Sequence, residues 1–187
     1  ATRKLSDYVN KYPTGTNIVE AKTMLSALLL KSSNYEEAYA IMNTLNLNDA
    51  YMQSVYQQVA VGRALQLMQD KEIDKANVVL DKSLEYPVKP EYAAIARFWK
   101  AEIDYRQAQY AAAIGNAKDF LSLSKGKEDV IRKISKDATA QNAQMIIGYA
   151  QLEQHDYSAA GQAFAVAQQK NTNNNSEVSL DATLRAA

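Results

Sequence analysis

The chain contains no cysteine, which rules out disulfides, thiolate zinc sites and cysteine nucleophiles and leaves the redox compartment open. Histidine is almost as scarce. His155 stands alone, and one imidazole without thiolates cannot assemble a zinc site. Lying just before Asp156-Tyr157, it reads as a solvated turn residue. No serine or acidic residue sits in a triad spacing, and no Gly-rich phosphate loop is present. Gly62, Gly115, Gly148 and Gly161 all fall inside helical patterns, where close helix crossing explains them. The expectation is therefore no metal, no cofactor and no catalytic centre. An enzyme would need a cleft of strongly shifted acids, which Glu102 and Asp104 could supply only if buried together.

Charge of one sign is also missing: 21 basic residues meet 21 acidic ones. The longest basic cluster, Lys125 to Lys136, is diluted by Glu128 and Asp129 and reads as a solvated face, so no nucleic-acid partner is expected. The longest apolar run, Leu28 to Leu30 with Met24, Leu25 and Ala27 just before it, falls far short of the ~20 residues that span a bilayer. No secretory signal appears at Ala1, so either the protein is cytoplasmic or a targeting segment lies outside this sequence.

What remains is helical. Ala, Leu, Gln, Glu and Lys are abundant, against six Gly and three Pro. Pro13, Pro87 and Pro90 fall between periodic segments, the last closing a linker that begins at Tyr86. Leu5, Tyr8, Val9 and Tyr12 share one face of a first helix that Pro13-Thr14-Gly15 ends. Helix pairs are then expected at 17–48, 51–87, 91–124 and 137–170, with turns at 32–34, 70–72 and before Tyr110 and Tyr157. Lys125-Gly126-Lys127 is the expected break before the last pair, with a short helix over 129–135. Asn171 to Asn175 reads as a loop, and 176–187 as a further helix.

The pairs share a register. A small residue stands nine positions before an aromatic and twelve before an Ala in Ala101, Tyr110, Ala113 and again in Gly148, Tyr157, Ala160. Ser26, Tyr35, Ala38, Met42, Leu45 and Ala64, Ile73, Ala76, Leu80, Ser83 follow the same order, with Ile73 where an aromatic is usual and Ala117 where a Phe is usual in the 91–124 pair. Marker alanines lie 38 (Ala38 to Ala76), 37 (Ala76 to Ala113) and 47 (Ala113 to Ala160) residues apart, so the last interval holds an extra turn or loop of about ten residues. This spacing resembles the tetratricopeptide repeat, a helical hairpin of about 34 residues with small, aromatic, Ala and Phe places. The resemblance implies an all-α, right-handed superhelix of antiparallel helix pairs, a single α-solenoid domain over 1–187, with the aromatic wedged at each turn. A partial repeat at 1–15, with 176–187 as a partial repeat or a capping helix, suggests a piece of a longer array.

Function then comes from shape. In the family the first helices line a concave face that receives a peptide or a partner helix. The resemblance places that groove at Gln58, Val61, Leu65, Met68 and Gln69, at Phe98, Glu102, Tyr105 and Arg106, and at Met145, Tyr149 and Leu152. Simple packing between repeats is the competing reading for Val61, Leu65 and Leu152, and an i,i+4 surface ion pair for Glu102 and Arg106. The Lys and Asn set of the family's peptide-carboxylate clamp is absent, which disfavours a chaperone-tail binder. The phrases at Tyr12 to Gly15, Trp99 to Glu102 and Ile147 to Ala150 are similar to those of long multi-repeat envelope proteins of Gram-negative bacteria, including outer-membrane assembly and Tol-Pal accessory proteins. That likeness implies a periplasmic or outer-membrane-associated scaffold with a protein or peptide partner; self-association into a homo-oligomer stays open. The alternative is a small-ligand or glycan-binding module of a nutrient-uptake system, with Trp99 and Tyr105 stacking on a sugar. A deep, closed pocket would favour that alternative, an open groove the scaffold.

Overall fold

A computed structural model describes residues 2–31 and 34–169, and these form ten helices and no strand. The chain is all-α. It divides into two compact units, one ending at Lys89 and the other beginning at Pro90.

In the first unit α1 (Thr2–Lys11) packs on α2 (Ile18–Lys31). Of the apolar face predicted for α1, Val9 is buried, while Tyr12 stays 47% exposed. The Asn10 amide donates to the Thr44 carbonyl at 2.8 Å, tying α1 to the stretch that follows α3 (Tyr35–Met42). That helix is capped by Asn34, whose side chain accepts from the Glu37 N–H at 3.1 Å. It stops at Met42, short of the 48 expected for the pair, because Thr44 and Leu45 turn their N–H groups back to Ile41 and Met42. Leu45 remains buried all the same.

The longest helix, α4 (Ala50–Gln69), begins at Asp49, whose carboxylate accepts from the Met52 N–H at 2.8 Å and pairs with Lys22 of α2. Met52, Val55, Val59, Ala60, Val61, Ala64 and Leu67 are all buried, so α4 is apolar around most of its circumference. Such a helix belongs at the centre, and α2, α3 and α5 (Ile73–Leu84) pack around it. The Tyr35 ring lies over Gly62, where an added Cβ would come within 2.5 Å of Cδ1. Here the aromatic is wedged against the backbone of α4.

In the second unit α6 (Pro90–Arg106) pairs with α7 (Tyr110–Leu123), and α9 (Ala140–Glu153) with α10 (Tyr157–Gln169). Between the pairs lies the short α8 (Glu128–Ile134), entered through Gly126 at φ +73°. This helix and its flanks account for the long interval between Ala113 and Ala160. Pro90 does not close the linker; it is the first residue of α6, where a missing N–H leaves no helical bond unmade.

One turn occurs three times. Lys71, Ala108 and His155 each take left-handed φ, at 61°, 57° and 62°, two residues before the next helix begins. In each, the following N–H reaches back five residues: Glu72 to Leu67 (2.8 Å), Gln109 to Asp104 (2.8 Å) and Asp156 to Gln151 (2.9 Å). This is a Schellman closure, which satisfies the carbonyls that a helix end leaves open.

Three expectations need correction or lie out of reach. Close crossing explains Gly62 and Gly148, but an added Cβ at Gly115 or Gly161 would meet nothing within 4 Å. Tyr157 is not wedged: it is 66% exposed. The loop expected at 171–175 and the helix at 176–187 fall outside the described residues.

Candidate functional site

Two helical stripes in the second unit build one cavity. On α6 the residues 98, 99, 102, 105 and 106 fall on one face by the helical repeat, and on α9 so do 142, 145, 146 and 149. Together with Asp137 they line a cavity of ≈ 630 Å³ that opens to solvent. Its size is that of a small-molecule or side-chain pocket.

Aromatic rings form much of the wall, and each is held by others. Phe98 meets Trp99 edge-on at 5.4 Å and Phe120 at 5.3 Å. Tyr105 lies 6.2 Å from Tyr149 and 5.9 Å from Tyr110, and Tyr149 meets Phe164 at 5.2 Å. Contacts of this kind fix ring orientation before anything binds. The Trp99 indole N–H donates to Ser135 Oγ at 3.0 Å, so the buried Ser135 joins the segment after α8 to α6. Met145, Ala160, Phe164 and Ala167 form the core behind the α9 wall, with Tyr149 and Leu152 packed against it.

The polar groups are few. Arg106 donates from Nε (2.8 Å) and Nη2 (2.7 Å) to a single oxygen of Glu102, the expected i,i+4 pair. Asn142 donates its amide to the Asp137 carbonyl at 2.8 Å and its backbone N–H to Thr139 Oγ1, the cap of α9. Among the described residues no hydrogen bond or ion pair engages the Asp137 carboxylate. Asp104 points elsewhere: it is buried and accepts from Asn116 (2.7 Å), which in turn accepts from Arg97 (2.8 Å). Glu102 and Asp104 are therefore not buried together.

Of the residues expected to face a partner, Phe98, Glu102, Tyr105, Arg106, Met145 and Tyr149 line this cavity, whereas Leu152 is not among its lining and packs against the core behind α9. The other five stand on α4 in the first unit: Val61 has no exposure, Gln58 donates to the Ser54 carbonyl at 3.0 Å, Leu65 and Met68 are half-buried and Gln69 is exposed. Asp137, Asn142 and Ile146 were not anticipated. The period of α9 could have supplied Asn142 and Ile146, three before Met145 and one after it; nothing in the sequence signals Asp137.

Among the described residues no cluster of His, Cys, Asp or Glu could hold a metal ion, and no helix is long and apolar enough to cross a membrane. No family model, curated protein or solved structure matches the chain.

Proposed function

We propose that the protein is a non-catalytic interaction scaffold of the tetratricopeptide type, its hairpins stacking as a right-handed superhelix and its groove receiving an extended peptide or partner helix. One observation carries the reading: six residues chosen for that role from the repeat register line a single solvent-open cavity in the second unit. The left-handed turn found at three matching places supports the repeat itself. An open cavity walled by pre-ordered rings suits a side chain presented from a peptide, whereas a sugar module would be expected to enclose its ligand. The likeness of Tyr12 to Gly15, Trp99 to Glu102 and Ile147 to Ala150 to phrases of Gram-negative envelope proteins supports a periplasmic or outer-membrane-associated location, as a piece of a larger envelope protein.

The test uses the whole chain on a random-peptide display library and on a glycan array, alongside Tyr105→Ala/Arg106→Ala. Enrichment of peptides that the double variant no longer retains supports the scaffold. Retention of glycans alone, or peptide binding unchanged by the double substitution, would overturn it. Circular dichroism of the variant checks that the helices persist.

A further inference from the structure

We infer that the cavity between α6 and α9 receives a basic side chain, lysine or arginine, from the partner segment. This rests on the reading of the cavity as a peptide site and narrows it to one chemistry. Three features of the site converge on a cation.

First, the wall exposes π-systems already fixed in place. Trp99, Tyr105 and Tyr149 are half-buried, and each is braced by another ring or by Ser135. An ammonium or guanidinium placed over such faces is attracted by the ring quadrupole, more strongly when the rings are shielded from water. Second, the charges that line the cavity are two carboxylates, Glu102 and Asp137, and one guanidinium, Arg106. Arg106 is held by Glu102, so Asp137 is the charge left without a counterpart in the site. A carboxylate ligand would meet a net negative lining, and a neutral aliphatic one would leave Asp137 unanswered. Third, Asp137 arrives with the longer connection between α7 and α9, where the marker interval is 47 residues instead of 37. The bond from Trp99 to Ser135 fastens that connection two residues before Asp137. The extra length thus brings to the cavity the one charge that the helical register of α6 and α9 does not supply.

The experiment selects peptides from a random display library on the whole chain, then measures the winners by fluorescence of Trp99, the only tryptophan. The expected result is enrichment of Lys or Arg at one fixed position. Replacing that residue by norleucine, which keeps the aliphatic stem and removes the charge, should weaken binding about tenfold. Asp137→Asn, at an exposed position, should reduce the difference between the lysine and norleucine peptides to the part that the rings supply, and a difference unchanged by this substitution would show that Asp137 does not meet the cation. Enriched peptides with no basic position, or equal binding of the lysine and norleucine forms, would overturn the inference while leaving the peptide-site reading intact. No enrichment of any peptide would overturn both.

Discussion

The Phe164 ring of α10 rests on the bare backbone of Gly148 in α9, so close that a Cβ at Gly148 would lie 2.5 Å from the ring Cε1. The absence of a side chain here is a packing requirement. In the preceding hairpin the same two places hold Ala101 and Ala117, both fully buried, so where the ring is missing a Cβ is accommodated at the small place. Gly148→Ala should therefore destabilise the protein by about 1–3 kcal/mol through overpacking, even though Ala is the better helix former by about 1 kcal/mol. Chemical denaturation would register the loss as a lower midpoint. Adding Phe164→Leu should recover part of it, and simple additivity of the two substitutions would contradict the contact.

The three left-handed turn residues make a separate prediction. Ala108 at φ 57° carries a Cβ that a left-handed backbone disfavours by about 1–2 kcal/mol, while glycine loses about 0.5–1 kcal/mol more chain entropy than alanine. Ala108→Gly should stabilise by about 0.5–1 kcal/mol, and Lys71→Gly should act with the same sign. His155→Gly should gain less, because His155 Nδ1 lies 3.2 Å from the Tyr157 hydroxyl and that contact is lost. Thermal melts of the three variants settle the order. A destabilised Ala108→Gly would show that the turn is not held in the left-handed region.

Asp49 links stability to pH. Burial pushes its carboxyl up, but the Lys22 ammonium and the Met52 N–H together outweigh burial and hold it below its ordinary value of 3.8. The folded state therefore binds this proton less readily than the unfolded chain does. The stabilisation is fully present above 3.8 and disappears as the pH falls through the lower folded value. Asp49→Asn keeps the helix cap and removes the charge, so it should be less stable than the parent at neutral pH and indistinguishable from it in strong acid. Asp49→Ala removes the cap as well and should cost about 1 kcal/mol more at every pH above that window. A gap between Asp49→Asn and the parent that widened on acidification would refute the assignment.

How much of this could be read from the chain alone depends on how local each determinant is. Helix ends followed residues that act on their own backbone, such as Asn34 and Asp49 as caps and Gly126 before α8. The two cavity stripes follow the helical period, but Phe98, Glu102, Tyr105 and Arg106 are named for the groove by the resemblance to the repeat family, since periodicity alone marks a face and not its use. Pro90 was misplaced because the residue that closes a linker and the one that opens a helix look alike in sequence. Tyr157 was expected to be wedged on the strength of its own turn, but burial depends on whatever packs over it. Asp137 was invisible for a similar reason: the connection that carries it is fastened by Trp99 and Ser135, which lie 36 residues apart.

The last prediction concerns Gln57, a side chain with no exposure at the centre of α4. Its amide nitrogen donates to the Lys89 carbonyl at 3.1 Å, and its amide oxygen accepts from the Lys89 N–H at 2.8 Å. Both backbone groups of Lys89 are thus satisfied by one buried amide, much as a neighbouring strand would satisfy them. Lys89 stands immediately before α6 and two residues after Pro87, so its N–H has no helical acceptor to fall back on. Gln57→Leu preserves volume and removes both bonds, and the unpaired groups should cost about 1–3 kcal/mol. Gln57→Glu keeps the acceptor and loses the donor, which places a carboxylate against the Lys89 carbonyl, so it should be at least as damaging. Amide exchange discriminates this from a general loss of core packing. In Gln57→Leu the Lys89 N–H should lose its protection far more than the N–H groups inside α4, and a uniform loss across both would show that the bond to Lys89 is not what Gln57 supplies.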